Sequence, residues 1–285
     1  MNLNVNLDSI ISSAIFILLF YVLFFIGKTV NRVMHRGYDP VHELFQKDNS
    51  ALALAMTGYY AGLVIAIGGV IAGPSSGLVD DVIDVCIYGL LAVILLNISW
   101  VICDRLILFR CNIKDELIRD QNQGAGVVSM AVSIASGFVI YGSVSGQGGS
   151  IWTAIAFWAA GQVMLIIAAL VYELITPYKM QDEIEKDNVA AGVSFAGALI
   201  SIGIIVGLSA EGDFHSWQED FPRYLFISVI GILMLPVVRF MTDWILLPGV
   251  TLEDEIAGQE KPNIGAAYLE AFSYIAAAFI INWCI

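Results

Sequence analysis

The chain alternates long apolar stretches with short polar ones from end to end. Apolar runs cover residues 9–28, 50–72, 83–103, 124–145, 151–175, 189–209, 222–246 and 264–284. Each holds about 20 residues or more, enough to cross a hydrocarbon core of about 30 Å at a helical rise of about 1.5 Å per residue. A spanning backbone must satisfy its own hydrogen bonds, so these runs must be helices. The pattern predicts an all-α fold, a polytopic membrane bundle of eight transmembrane helices.

The polar stretches repeat. In each, a Glu is followed by an Asn that opens a small-residue-rich apolar run: Glu43 with Asn49, Glu116 with Asn122, Glu183 with Asn188, and Glu255 with Asn263. The glutamates lie 73, 67 and 72 residues apart, a period near 70 that divides the chain into four two-helix repeats. Each repeat is an odd-numbered span, a charged linker and an even-numbered span. Odd spans are bulky, as in residues 15–25. Even spans place small side chains four apart, as in Gly58 and Gly62, Ser129 and Ser133, Gly192 and Ala196, and Ala267 and Ala271. Small residues at that spacing let helix backbones approach in lipid, so the even spans are expected inside and the odd spans toward lipid.

The linkers are expected to be short interfacial helices. Asp39-Pro40 and Thr176-Pro177 each set a capping residue before a proline at the first helical position, and Asn112 and Thr251 are candidate caps for the other two. Asn49, Asn122, Asn188 and Asn263 stand where the even spans begin and are most simply N-caps. Alternatively, four helix N-termini converge with their positive ends on an ion or a partner carboxylate. The four glutamates are either interfacial acids paired with nearby bases or a ring of acids at a cytoplasmic vestibule. Asn31, Asp104, Glu173 and Asp243 form a second polar register at the linker ends of the odd spans. Arg239, four residues before Asp243, is its expected partner.

Composition agrees with the class. Hydrophobic residues make up 58% of the chain and charged ones 14%, against about 25% charged in a soluble domain. Every Lys and Arg except Arg223 lies in or beside the loops between spans 1–2, 3–4, 5–6 and 7–8. That positive-inside bias places the linkers in the cytoplasm and both termini on the outer side. The first span has no basic region before it and reads as a retained anchor rather than a signal peptide.

The net charge of −13 and the absence of a basic run exclude a nucleic-acid partner. Cys86, Cys103, Cys111 and Cys284 have no metal-ligand spacing, and His35, His42 and His215 stand singly, so no metal or cofactor is expected. Within the spans the polar residues are Asn97, Gln162, Asn282 and Glu270. Glu270 is ionisable, stands seven residues past Asn263, and aligns with Met56, Ser129 and Phe195 in the other repeats. An acid there is either a hydrogen-bonded structural group or a functional site.

The stretch Gln181–Leu199, reading Gln-Asp-Glu-Ile-Glu-Lys-Asp-Asn-Val-Ala-Ala-Gly-Val-Ser-Phe-Ala-Gly-Ala-Leu, resembles the signature of the DUF350 (UPF0719) bacterial inner-membrane family. That domain has about four spans, so the resemblance implies two tandem copies, residues 1–147 and 148–285. The first half departs from the pattern, since Asp48-Asn49-Ser-Ala-Leu-Ala lacks the glycine, and the fourth repeat inserts Gly258 and Pro262. The family carries no assigned activity. Its association with phage-shock-like peripheral proteins and polyamine-related genes implies a role in envelope homeostasis.

Two functions follow from these features. One is a non-enzymatic membrane interaction component whose acidic linkers recruit a cytoplasmic peripheral membrane protein. The other is a cation or polyamine channel or transporter with a pathway between the even helices. An enzyme acting on lipid is a distant third, for want of a nucleophile–base pair. Expected partners are the lipid bilayer, the peripheral protein and a second copy of the chain.

Overall fold

A computed structural model describes residues 7–110 and 112–284; Cys111 lies outside the described residues. Every regular element among them is a helix. The chain runs α1 (Leu7–Met34), α2 (Pro40–Phe45), α3 (Ser50–Ile71), α4 (Leu78–Leu106), α5 (Ile113–Ile118), α6 (Gln123–Val144), α7 (Ile151–Ile175), α8 (Met180–Glu185), α9 (Val189–Ser209), α10 (Asp220–Met241), α11 (Leu252–Ile256) and α12 (Ile264–Cys284). Eight helices are long and apolar enough to span a membrane. The fold is an all-α membrane bundle of four two-helix repeats, with α2, α5, α8 and α11 as the linker helices. The first and third spans are longer than their apolar runs, because α1 continues through Lys28 and Arg32 and α4 opens on Asp80 and Asp81.

The even spans stand in a row. α3 packs on α6, α6 on α9 and α9 on α12, while α3 and α12 at the two ends share no substantial contact. The odd spans form a second row, α1–α4–α7–α10, set into the grooves of the first. α4 packs on α3 and α6, α7 on α6 and α9, and α10 on α9 and α12. Polar groups tie neighbouring spans, two of them between the rows (α3 with α1 and with α4) and two along the odd row (α4 with α7 and α7 with α10). Tyr59 Oη donates to Gly27 O (2.9 Å), Asn97 Nδ2 to Tyr59 Oη (2.9 Å), Trp158 Nε1 to Ser99 Oγ (2.8 Å) and Tyr224 Oη to Phe157 O (3.0 Å).

Small side chains set the spacing of the even row. A Cβ added at Gly137 would stand 2.8 Å from Gly62 Cα, and one at Gly203 would collide with the backbone of Ala135. Helices approach this closely only where glycine leaves room, and in lipid such packing takes the place of hydrophobic drive. The even spans are therefore buried from the middle of the row outward. α9 is almost wholly enclosed, whereas α12 exposes Tyr268, Phe272 and Trp283 because no further repeat covers it. Phe272 stands nine residues past its asparagine, where the other repeats have Gly58, Ala131 and Gly197. Bulk at that position ends the row, as a terminal repeat must.

Gly203→Ala should lower the stability of the detergent-solubilised protein by about 1–3 kcal/mol, because the new methyl overpacks the α6–α9 seam. Gly68, whose Cβ would meet nothing within 4 Å, is the control. Thermal unfolding should show a clear loss for the first variant and none for Gly68→Ala.

Candidate functional site

Each linker closes with the same elbow. The backbone N–H of the asparagine donates to the carbonyl of the linker glutamate: Asn49 to Glu43 (3.1 Å), Asn122 to Glu116 (2.9 Å), Asn188 to Glu183 (3.0 Å) and Asn263 to Glu255 (2.7 Å). In the first three repeats the preceding residue turns the chain in the left-handed region, with φ of 53° at Asp48, 53° at Gln121 and 59° at Asp187. Pro262 precedes Asn263, and its ring forbids that conformation. The fourth elbow is accordingly longer, with Gly258 N donating back to Glu253 O and Asp254 O.

The asparagine amides bridge repeats. Their oxygens cap their own spans, accepting from Leu52 N (2.9 Å), Ala125 N (2.9 Å) and Ala191 N (3.1 Å). Their nitrogens donate to the next linker: Asn49 Nδ2 to Leu117 O (2.7 Å), Asn122 to Ile184 O (2.6 Å) and Asn188 to Ile256 O (2.9 Å). All three are buried. Asn263 meets no further linker among the described residues; it is exposed, caps Gly265 and Ala266, and donates to Glu255 Oε2 (2.7 Å). The four N-termini thus stand in file and do not converge on a common point. Asp187 adds a second stitch, its Oδ1 accepting from Gln123 N (2.8 Å) at the start of α6.

The linker glutamates turn inward. Glu116 Oε2 accepts from Asn122 Nδ2 (2.8 Å) and Glu183 Oε2 from Asn188 Nδ2 (2.9 Å). Glu43 and Glu183 also bind Lys47 Nζ (2.7 Å) and Lys186 Nζ (2.8 Å). Glu43 and Glu116 are buried, and burial pushes the Glu116 carboxyl up from its ordinary value against the opposing pull of the Asn122 hydrogen bond. Glu116, Glu183 and Glu255 therefore brace their elbows through the asparagine amide, while Glu43 is held by Lys47; each carboxylate is engaged within its own linker.

Two members of the second polar register, Glu173 and Asp243, cap linker helices, whereas Asp104 Oδ1 is buried without a hydrogen-bond partner among the described residues. Asp243 Oδ1 accepts from Leu252 N (2.7 Å), and Glu173 accepts from the backbone of Gln181 and Met180. This corrects two expectations. Thr176 does not cap α8; it ends α7, its hydroxyl returning to Tyr172 O (3.0 Å), and α8 begins three residues past Pro177. Asn112 occupies the cap position of α5 without a side-chain bond, whereas Asp39 and Thr251 cap as expected.

Arg239 does not pair with Asp243. Its Nη1 donates to Glu270 Oε1 at 2.5 Å, from α10 across to α12, and both side chains are buried. Tyr172 Oη donates to the same carboxylate oxygen (3.4 Å), the Tyr178 ring lies 5.9 Å from the guanidinium, and Ser194 and Tyr274 complete the surround. Just past Arg239, α10 widens into a π turn over Thr242–Leu246, six residues after Pro236. Burial raises the Tyr178 hydroxyl, and the Glu270 charge adds to it. The linear sequence suggested a local partner four residues away, and the true one lies 31 residues on. Trp100 and Ser129 hold the matching places in the first half, so the ion pair belongs to the second half alone.

On the opposite face a cleft of about 510 Å³ opens between the short loops. Its acids hold those loops: Asp81 accepts from Ser75 and Ser76, Asp213 from Gln147 N, and Asp220 from His215 N and Ser216 N.

Two sets of variants test these assignments. If Asn188 only caps α9, Asn188→Asp keeps the cap and is mild. A bridging amide predicts that Asn188→Asp is at least as destabilising as Asn188→Ala, by about 2–4 kcal/mol in thermal or denaturant unfolding, because the Ile256 carbonyl loses its donor. Glu270→Gln should cost about 3–5 kcal/mol by leaving Arg239 charged and unpaired, and Arg239→Met combined with Glu270→Met should recover most of it.

The repeats seen in space appear also in comparisons with known proteins. The model of a family described as Domain of Unknown Function (DUF350) matches residues 5–144 and again residues 148–285. A UPF0719 transmembrane protein of Aquifex aeolicus (strain VF5) is 24% identical over 243 residues, covering 84% of this chain and 87% of that protein. The UPF0719 transmembrane protein YshE of Bacillus subtilis (strain 168) is 27% identical over 126 residues, which is 44% of this chain and 87% of its own. No solved structure matches. With the family's model matched twice over nearly its whole length, this chain belongs to the DUF350 family and carries two copies of the domain in tandem.

Proposed function

We propose that the protein is a non-enzymatic membrane interaction component of envelope homeostasis, recruiting a cytoplasmic peripheral membrane protein through its linker face. The observation that carries this is the closure of the even row. Gly58 faces the backbone of Met130, Gly203 that of Ala135 and Gly197 that of Ala271, with no room for another methyl. A hydrophilic solute has no route along those seams. The linkers, in contrast, are stitched side by side into one rigid strip, a good platform for a partner that reads charge.

The recruiting acids in this proposal are outward ones. The elbow glutamates set the geometry, while Glu185, Glu253 and Glu260 are exposed and make no ion pair among the described residues. All three belong to the third and fourth linkers, so a basic segment on the partner would dock at that end. The positive-inside bias supports a cytoplasmic linker face in a bacterial inner membrane with both termini outside. We take residues 1–147 and 148–285 as the two domains.

A cation or polyamine transporter is the second proposal, favoured by one observation, the buried Arg239–Glu270 pair beside a π turn, a feature common at functional sites. Its route would pass along α10 and α12 rather than between even spans. Full-length protein in proteoliposomes discriminates. The interaction proposal expects potassium and spermidine flux no greater than in protein-free vesicles. It also expects that combined Glu185→Lys, Glu253→Lys and Glu260→Lys releases a co-purifying peripheral protein that rebinds the unmodified chain once purified. Robust protein-dependent flux, or unaltered rebinding to the charge-reversed variant, would contradict it.

A further inference from the structure

Among the described residues, five bases on the linker face are held in ion pairs: Lys47 with Glu43, Arg110 with Asp182, Arg119 with Asp120, Lys186 with Glu183 and Arg239 with Glu270. The unpaired ones are unevenly placed. Lys28, Arg32, Arg36, Arg105 and Lys114 are all exposed, all without an ion pair, and all belong to the corner where the ends of α1 and α4 meet the first two linkers. Lys179 and Lys261 are also unpaired but stand singly among the acids of the third and fourth linkers.

The corner is brought together by packing. Lys28, Arg32 and Arg36 recur every four residues and so follow one side of α1 and its continuation. α1 lies against α4, which carries Arg105 in its last turn. His35 locks the two ends, its ring 4.3 Å from that of Trp100 and its Nδ1 2.8 Å from Asn31 O. Burial holds the imidazole below its ordinary value, so His35 is neutral there and donates to that carbonyl. Lys114 reaches across from α5 with its ammonium group over Gly37, where any side chain would collide with it. Of the acids in these linkers, Asp39 caps α2, Glu43 and Asp120 are held in ion pairs, Glu116 is bonded to Asn122, and Asp104 is half-buried next to Arg105. That leaves Asp48 and Asp115 against five unpaired bases. The result is a cationic shelf at the end of two membrane spans.

We infer that this shelf docks the headgroup of an anionic phospholipid, with its acyl chains along α1 and α4. Charge complementarity argues for the headgroup, since basic pockets between spans on the linker side bind acidic lipid heads. Exposed apolar residues argue for the chains. Val33, Met34, Leu106 and Phe109 flank the bases, each about half exposed, where a soluble ligand would leave them in water. The net charge of −13 disfavours a polyanion that would cover more of the face. This site lies at the opposite end of the row from the acids proposed for partner recruitment and stands or falls independently of them. Together the two would anchor one end of the platform to the lipid surface and leave the other for a protein.

Native mass spectrometry of the full-length protein in detergent, titrated with phosphatidylglycerol or phosphatidylcholine of identical acyl chains, tests the inference. The chain should retain phosphatidylglycerol at least tenfold better, and millimolar inorganic phosphate should not displace it. Each of Arg32→Gln, Arg36→Gln, Arg105→Gln and Lys114→Gln should weaken retention about fivefold at low salt, with Lys179→Gln and Lys261→Gln unchanged. All six positions are exposed, and unaltered thermal unfolding would confirm intact folds. Equal retention of the two lipids, undiminished binding by all four shelf variants, equal loss in the Lys179 and Lys261 variants, or displacement by phosphate would each overturn it.

Discussion

A transmembrane helix that begins at the edge of the hydrocarbon has backbone N–H groups with no partner in its own first turn. In the first three repeats one asparagine answers that need and, with the other half of its amide, serves a carbonyl in the next repeat. The two demands are satisfied together only when adjacent linkers lie side by side in one register. The glycine seams below have the same register, since backbones that approach this closely lock ridge against groove. Cap, bridge and seam therefore specify one arrangement, a row of repeats, and neither rule alone would.

A row has ends, and the ends differ. At the first, α1 leans chiefly on α4 and α3, and most of its described residues are exposed on the lipid side. At the last, Asn263 has no neighbour to bridge and Phe272 stands where a small residue would admit one. Charge leans the same way, with five exposed unpaired bases around the first two linkers and the exposed acids Glu185, Glu253 and Glu260 in the last two. The buried Arg239–Glu270 pair fits this asymmetry, lying in the last repeat with tyrosines around it.

Much of this architecture is legible in the sequence, because it rests on patterns that physics makes periodic. Apolar length marks the spans, small residues four apart mark the seams, and Glu43, Glu116, Glu183 and Glu255 mark the elbows. Less was visible where a polar group has two possible hydrogen-bond partners. The capping oxygen of Asn188 can be inferred from position, but its amide reaches Ile256, 68 residues away, and no local rule finds that. Arg239 misled for a related reason: Asp243 stands one turn away on the same helix, yet Leu252 N claims that carboxylate. Thr176-Pro177 imitates a helix start, but the hydroxyl is used to close α7.

The order of the even spans is the central claim, because a pathway enclosed by four helices requires a ring and a recruiting platform is built from a row. Spin labels at Ser50 and Ile264, the first residues of α3 and α12, measure it directly by pulsed electron–electron distance spectroscopy on the reconstituted protein. Three interhelical steps of about 8–10 Å each predict a separation of roughly 25 Å. A distance near a single step, about 10 Å, would mean that α3 and α12 meet, and would contradict the row.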